Sequence, residues 1–144
     1  MCCDSAHKTF PVLTGGAYLH ISRDAPQFFE NAKNAMALFG STSPSYLILR
    51  SLDLCNAYLA GTYPEKLERI AQLLDTAKNV LMCHGWEISG DEPMKLTVVS
   101  PDGADGRQLA DMLRSSGIEC EYADGEYVVL MPSSETDETE LERV

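Results

Sequence analysis

Basic residues are scarce in this sequence. Eleven Lys and Arg stand against 22 Asp and Glu, for a formal net charge of −11. A chain of that sign repels a phosphate backbone, which argues against nucleic-acid binding. It also offers no basic amphipathic face to an anionic membrane surface. Long apolar runs are lacking too: the most apolar stretch, Tyr46 to Ala60, is short and carries Arg50 and Asp53, so no transmembrane helix is expected. Met1-Cys2-Cys3-Asp4 has neither the basic start nor the apolar core of a secretory signal. No CxxC pair occurs. The five cysteines, Cys2, Cys3, Cys55, Cys83 and Cys120, are odd in number and irregular in spacing. That disfavours a zinc site, so no metal is expected, and reduced thiols in a cytosolic setting are the simpler reading. Cys83-His84 is a possible ligand pair, but a helix end with a polar cap explains it better. No internal repeat is visible.

What remains is ordinary globular composition: 144 residues, 44% hydrophobic and 23% charged. That is about one domain's worth of chain, and a chain of this size buries roughly two thirds of its unfolded surface. The acidic balance fits a soluble cytoplasmic protein and suits a cationic substrate.

Two regions with different patterns follow one another, joined near Gly85 to Pro93. The first is helical. Asp24 and Gln27 form a capping-box pattern ahead of Phe28, Phe29, Ala32, Met36 and Phe39, and Gly40 supplies a stop. A second helix is expected from Ser43-Pro44, with proline at the first helical position, to Gly61. Its apolar residues cover most of the circumference, which predicts burial. A third helix starts at Thr62, with Glu65 reaching back, and carries Leu67, Ile70, Ala71, Leu74, Ala77 and Leu81 in one stripe before Gly85. Trp86 follows as a packing anchor at the junction.

The second region reads as a small α+β unit. Lys95 to Ser100 is a strand. Asp105 and Gln108 cap a short helix through Leu109, Met112 and Leu113, stopped by Gly117. Glu119 to Ala123 and Glu126 to Met131 flank Asp124-Gly125, a pair that favours a two-residue hairpin turn with positive φ. Glu119, Glu121, Asp124 and Glu126 read as a solvated hairpin face; attraction of a basic substrate is the alternative. Thr136 to Glu142 reads as the start of a helix, too short to be stable alone. With chemistry beginning almost at residue 1 and a helix starting near residue 144, both ends read as cut, and the expectation is a piece of a longer protein.

The chemistry sits in Ser5-Ala6-His7-Lys8-Thr9. A lysine attacks an aldehyde only as the neutral amine, so it needs a lowered pKa or a group that traps it. Ser5, His7 and Thr9 surround it with hydroxyls and an imidazole that can donate hydrogen bonds to a phosphate. Leu13-Thr14-Gly15-Gly16-Ala17 then lets the backbone turn tightly and approach a ligand closely.

Taken together, Ser5-Ala6-His7-Lys8-Thr9, then Pro11 to His20, then Ser41-Thr42-Ser43-Pro44-Ser45-Tyr46 resemble, in order and spacing, the major domain of the ornithine/lysine/arginine decarboxylases. The resemblance covers Asp4 to about Ala60 well and the later α+β unit less specifically. It implies an α/β parent fold of the fold-type-I pyridoxal-phosphate enzymes. The chain would be a helical portion of that major domain, residues 1–86, followed by a small α+β C-terminal domain, residues 93–144. It implies pyridoxal 5'-phosphate as cofactor, a basic amino acid as substrate, a lyase reaction releasing CO2, a place in polyamine biosynthesis and a homodimer. By position, Lys8 matches the lysine that holds the cofactor as a Schiff base. Ser5 and His7 match residues contacting the cofactor, with Ser5 the phosphate ligand and His7 or Lys8 returning a proton to Cα. Thr42 and Ser43 fall in a loop that reaches the neighbouring subunit's cofactor, although either also suits a helix N-cap. The acidic partner of the ring nitrogen, the group stacked on the ring and the strand and sheet under Lys8 would lie upstream of this segment. Asp4 is too close to Lys8 to replace that partner. Two alternatives share these residues: a non-catalytic fragment acting only by association, and another fold-type-I reaction such as transamination or β-elimination.

Overall fold

The structure, a computed structural model, describes residues 1–40 and 42–144. The chain mixes helix and sheet and divides into two compact units, Met1–Thr62 and Tyr63–Val144.

In the first unit, β1 (Cys2–Asp4) leads into a single turn of helix, α1 (Ala6–Thr9), and returns through β2 (Tyr18–His20). The strands pair antiparallel, Cys2 with His20, Cys3 with Leu19 and Asp4 with Tyr18. A piece of sheet therefore stands directly before Lys8, where none was expected within this chain. Then come a 3-10 turn at Pro26–Phe28, α2 (Phe29–Phe39) and α3 (Tyr46–Ala60).

The capping box expected at Asp24 and Gln27 does not form. Proline fixes its own φ and pushes the residue before it out of the helical region. Ala25, ahead of Pro26, accordingly lies at φ −127° and ψ 56° and heads the 3-10 turn. Pro44 likewise stands outside α3, whose N-cap is the extended Ser45.

The burial expected for α3 is realised on one face. Cys55 is buried, whereas Tyr46 and Leu47 are 84% and 74% exposed. In α2, Leu38 and Phe39 are 76% and 85% exposed.

In the second unit, α4 (Tyr63–Cys83) precedes a three-stranded antiparallel sheet in the order β3 (Leu96–Val99), β5 (Tyr127–Leu130), β4 (Tyr122–Ala123). Between β3 and β4 lies α5 (Gly106–Ser115), and α6 (Glu138–Leu141) closes the unit. The core joins Leu74 of α4 to Leu96, Val98 and Leu130 of the sheet, with Trp86, Leu113 and Leu141 packed against it. This packing is why α4 belongs with the sheet. The compact units consequently part before α4, not in the 86–93 segment where the sequence changes pattern. Trp86 does anchor packing, within the second unit.

Local signals are mostly met here. Asp105 caps α5 by accepting from Arg107 N–H, without the reciprocal bond expected of Gln108. Asp137 and Glu140 complete a capping box on α6. At the end of α4, His84 Nδ1 donates to the Val80 carbonyl at 2.8 Å, the polar cap expected of the Cys83-His84 pair.

The hairpin turn differs from expectation. Neither Asp124 nor Gly125 has positive φ, and the loop also takes in Glu126. Asp124 Oδ1 accepts from the N–H groups of Glu126 and Tyr127, both at 2.8 Å, so a carboxylate organises the turn.

Those two bonds, with a third from the Tyr122 hydroxyl, hold the Asp124 carboxyl below its ordinary range. A carboxylate with a lowered folded pKa adds stability above its unfolded pKa and loses it as pH falls through the folded value. An NMR titration should show Asp124 with a midpoint below that of an aspartate in an unstructured peptide, and Asp124→Ala should remove acid-sensitive protection of the Tyr127 amide. In the core, Leu96 is fully buried; Leu96→Ala should cost about 2–5 kcal/mol in urea unfolding of the second unit.

Candidate functional site

α1 is short for a definite reason. Phe10, ahead of Pro11, is driven extended and sits at φ −99° and ψ 159°. The turn is closed by Phe10 N–H to the Ala6 carbonyl at 2.8 Å and Lys8 N–H to the Ser5 carbonyl at 3.1 Å. Ala6, 1% exposed, anchors it. Ser5 stands at the N-cap, exposed, and its side chain makes no capping bond. Lys8 is exposed, and among the described residues its Nζ has no hydrogen bond or ion pair.

The next segment explains where His7 is held. Leu13 to Gly16 makes a tight turn, with Gly16 N–H on the Leu13 carbonyl at 3.0 Å and Gly15 at φ +95°. That conformation requires glycine, since a Cβ is disfavoured there. Gly16 is buried, and a Cβ on it would collide with the Val12 side chain and press on the Leu13 carbonyl oxygen. Its carbonyl accepts twice from His7, from the backbone N–H at 3.3 Å and from Nδ1 at 3.1 Å.

α3 braces the turn from behind. Leu13 N–H donates to Ser51 Oγ at 3.2 Å, and that hydroxyl donates to the Ile48 carbonyl at 2.7 Å. The Tyr18 hydroxyl donates to the Leu52 carbonyl at 3.0 Å. Burial raises the Tyr18 phenol above its ordinary pKa, and its contact with the Cys55 thiol adds to this. Ile48, Ser51, Leu52 and Cys55 follow the spacing of one helical face.

A second cluster escaped the sequence reading. Asp4 Oδ2 lies 2.8 Å from His20 Nε2, and Cys2 Sγ donates to Asp4 Oδ1 at 3.2 Å. The bond to Asp4 raises the Cys2 thiol above its ordinary pKa, which keeps it protonated and a poor nucleophile. Tyr18 and His20 approach with ring centroids 5.9 Å apart. The available signal was alternation: Cys2 and Asp4 share one strand face, as do Tyr18 and His20, with the glycine turn between them.

The structure thus groups Ser5, His7 and Lys8 on one turn of helix. Thr42 and Ser43 lie in the connection between α2 and α3, both exposed. The N-cap position of α3 belongs to Ser45, so neither of them takes it. Ser41 lies outside the described residues. An apolar recess of about 640 Å³ in this unit is lined by Met1, Leu19, Met36, Phe39 and Pro44 among others, and Lys8 is not part of it.

Residues 1–97 match the family model described as Orn/Lys/Arg decarboxylase, major domain. The chain belongs to the Orn/Lys/Arg decarboxylase family. The match runs past residue 86, where the major-domain portion was expected to end. Among curated relatives, the chain is 32% identical over 136 residues to the uncharacterized protein YaaO of Bacillus subtilis, covering 88% of this chain and 28% of that protein. It is 28% identical over 138 residues to an arginine decarboxylase of Bacillus anthracis, covering 86% of this chain and 28% of that enzyme. The chain therefore spans little more than a quarter of the length of these relatives.

Solved structures agree on the fold. The Francisella novicida lysine decarboxylase LdcF superposes with a TM-score of 0.73 at 15% identity, over 98% of this chain and 26% of that one. The constitutive lysine decarboxylase of E. coli gives a TM-score of 0.70 at 18% identity, over the same shares. In this Orn/Lys/Arg decarboxylase segment, Gly15→Ala should destabilise the first unit by about 1–2 kcal/mol, the cost of a Cβ in the left-handed region. Hydrogen exchange of the His7 and Gly16 amides would measure it, with amides of the second unit unchanged.

Proposed function

We propose that this chain carries the cofactor-lysine segment of a pyridoxal-phosphate-dependent decarboxylase that converts lysine, ornithine or arginine to the corresponding amine. The supporting observation is Lys8: it stands on one turn of helix directly after a strand, inside the span matched by the family, with its amine uncommitted among the described residues. The proposal includes the fold-type-I parent architecture. Residues 1–86 would close the cofactor-binding major domain and residues 93–144 would form a small C-terminal domain, whose sheet packs on α4. It further includes a homodimer, a cytoplasmic setting and a place in polyamine biosynthesis. No helix is long and apolar enough to cross a membrane among the described residues.

The residues fit the cofactor in kind. Lys8 supplies an amine for an aldehyde. Ser5 supplies a hydroxyl that no cap bond engages, suited to a phosphate oxygen. His7 supplies a ring nitrogen. Thr42 and Ser43 would add hydroxyls toward the cofactor of a second subunit. Bound pyridoxal phosphate supplies the electron sink for the charge left at Cα when CO2 departs. This chain's share is to hold it through Lys8, orient its phosphate from Ser5 and return a proton to Cα from His7 or Lys8.

Reduction of the cofactor-loaded protein with tritiated borohydride should leave the label on the peptide containing Lys8, and Lys8→Ala should abolish it. Label on another lysine would overturn the assignment. Release of labelled CO2 from the substrate carboxylate, rather than formation of a keto acid, separates decarboxylation from transamination.

A second reading, association without catalysis, is favoured by the apolar residues that α2 and α3 leave exposed, Leu38, Phe39, Tyr46 and Leu47. Patches of this kind mark interaction surfaces. On that reading the protein sediments as an oligomer, and Phe39→Asp with Leu47→Asp shifts it toward monomer. A monodisperse wild-type monomer would count against it.

A further inference from the structure

His7 carries two possible duties in the proposed site, donating to a phosphate or handling a proton. The hydrogen bond at its other ring nitrogen distinguishes them. Nδ1 lies 3.1 Å from the carbonyl oxygen of Gly16. A carbonyl oxygen only accepts, so the ring nitrogen facing it must bear the hydrogen. A neutral imidazole has one N–H, so Nε2 is left with a lone pair.

The acceptor is fixed in place. Gly16 is buried against Val12 and Leu52, and the same carbonyl also takes the His7 backbone N–H at 3.3 Å. The turn that presents it is tied to Ser51 of α3 through Leu13 at 3.2 Å, and β2 just after it is tied to Leu52 through the Tyr18 hydroxyl at 3.0 Å. A ring held at both its backbone and its Nδ1 by one immobile oxygen has little freedom to flip.

We infer that Gly16 is a positioning residue that locks neutral His7 as the Nδ1–H tautomer, making Nε2 a proton acceptor in the site. It follows that neutral His7 does not donate to the cofactor phosphate, which leaves that donation to the Ser5 and Thr9 hydroxyls on either side of it. The inference rests on the proposed site for its chemical meaning, but the tautomer is a property of the protein without cofactor.

The test is nitrogen-15 NMR of the imidazoles in the cofactor-free chain at a pH where they are neutral. His7, His20 and His84 are the histidines present, so His20→Gln and His84→Gln assign the signals. The expected His7 pattern is a protonated Nδ1 and an unprotonated Nε2. In Gly16→Ala the added Cβ displaces the turn, and the two His7 nitrogens should move toward the averaged shifts of mixed tautomers. Should that variant fail to fold, Ser51→Ala removes the brace at Leu13 and should shift the pattern the same way by a smaller amount. A wild-type His7 protonated on Nε2, or an unchanged ratio in every folded brace variant, overturns the inference. Failure of the borohydride label to reach Lys8 would instead count against the proposed function and leave the tautomer standing.

Discussion

One carbonyl oxygen organises the candidate site. Gly16 O receives both the backbone and the side chain of His7, and through them the one-turn helix that bears Lys8 is fastened to the loop behind it. Each such bond adds only about 1 kcal/mol net. The larger effect is geometric: with Pro11 ending α1 after a single turn, the helix is too short to hold its own shape. The turn depends on outside partners, and the structure supplies them from β1 before it, from the Leu13–Gly16 turn after it, and from α3 behind that turn.

The second unit rests on a different principle, apolar burial. Leu74, Leu96, Val98 and Leu130 form its centre, and polar groups fasten the chain's last segment over it. Arg69 donates to the carbonyls of Ser134 and Thr136 at 3.2 and 2.9 Å. Lys66 Nζ meets both carboxylate oxygens of Glu135 at 2.7 Å. Isolated surface ion pairs contribute little. Here they act beside α6, whose Leu141 reaches the core, so placement of the segment is shared between packing and charge.

The sequence revealed elements with a long period or a strong local cap. The stripe on α4 repeats from Leu67 to Leu81, and the Asp105 cap and the helix start within Thr136 to Glu142 are each recorded in a few neighbouring residues. Three features were not legible, each for a physical reason. At Asp24 the capping pattern was present, but Pro26 two residues later overrode it through backbone sterics. At Asp124-Gly125 the turn chemistry was read as a backbone preference, whereas the side-chain carboxylate took over the hydrogen bonding. β1 and β2 were missed because three-residue strands carry too little alternation to stand out from Cys-Cys-Asp. The candidate residues Ser5, His7 and Lys8 were singled out through family resemblance; periodicity says nothing of them. What holds them, Gly16 and Ser51, is separated from His7 in sequence and becomes apparent only once the backbone is folded.

α3 has two characters on opposite sides. One side, with Ile48, Ser51, Leu52 and Cys55, backs the loop that secures His7; another carries Tyr46, Leu47 and Leu54 out to solvent. Any body that seats on the outer side bears on a rod whose far surface braces the Leu13–Gly16 turn and Tyr18. Assembly and chemistry would then share one mechanical lever: a displacement of α3 would pass to Leu13 and Tyr18, and through the Leu13–Gly16 turn to the histidine beside Lys8.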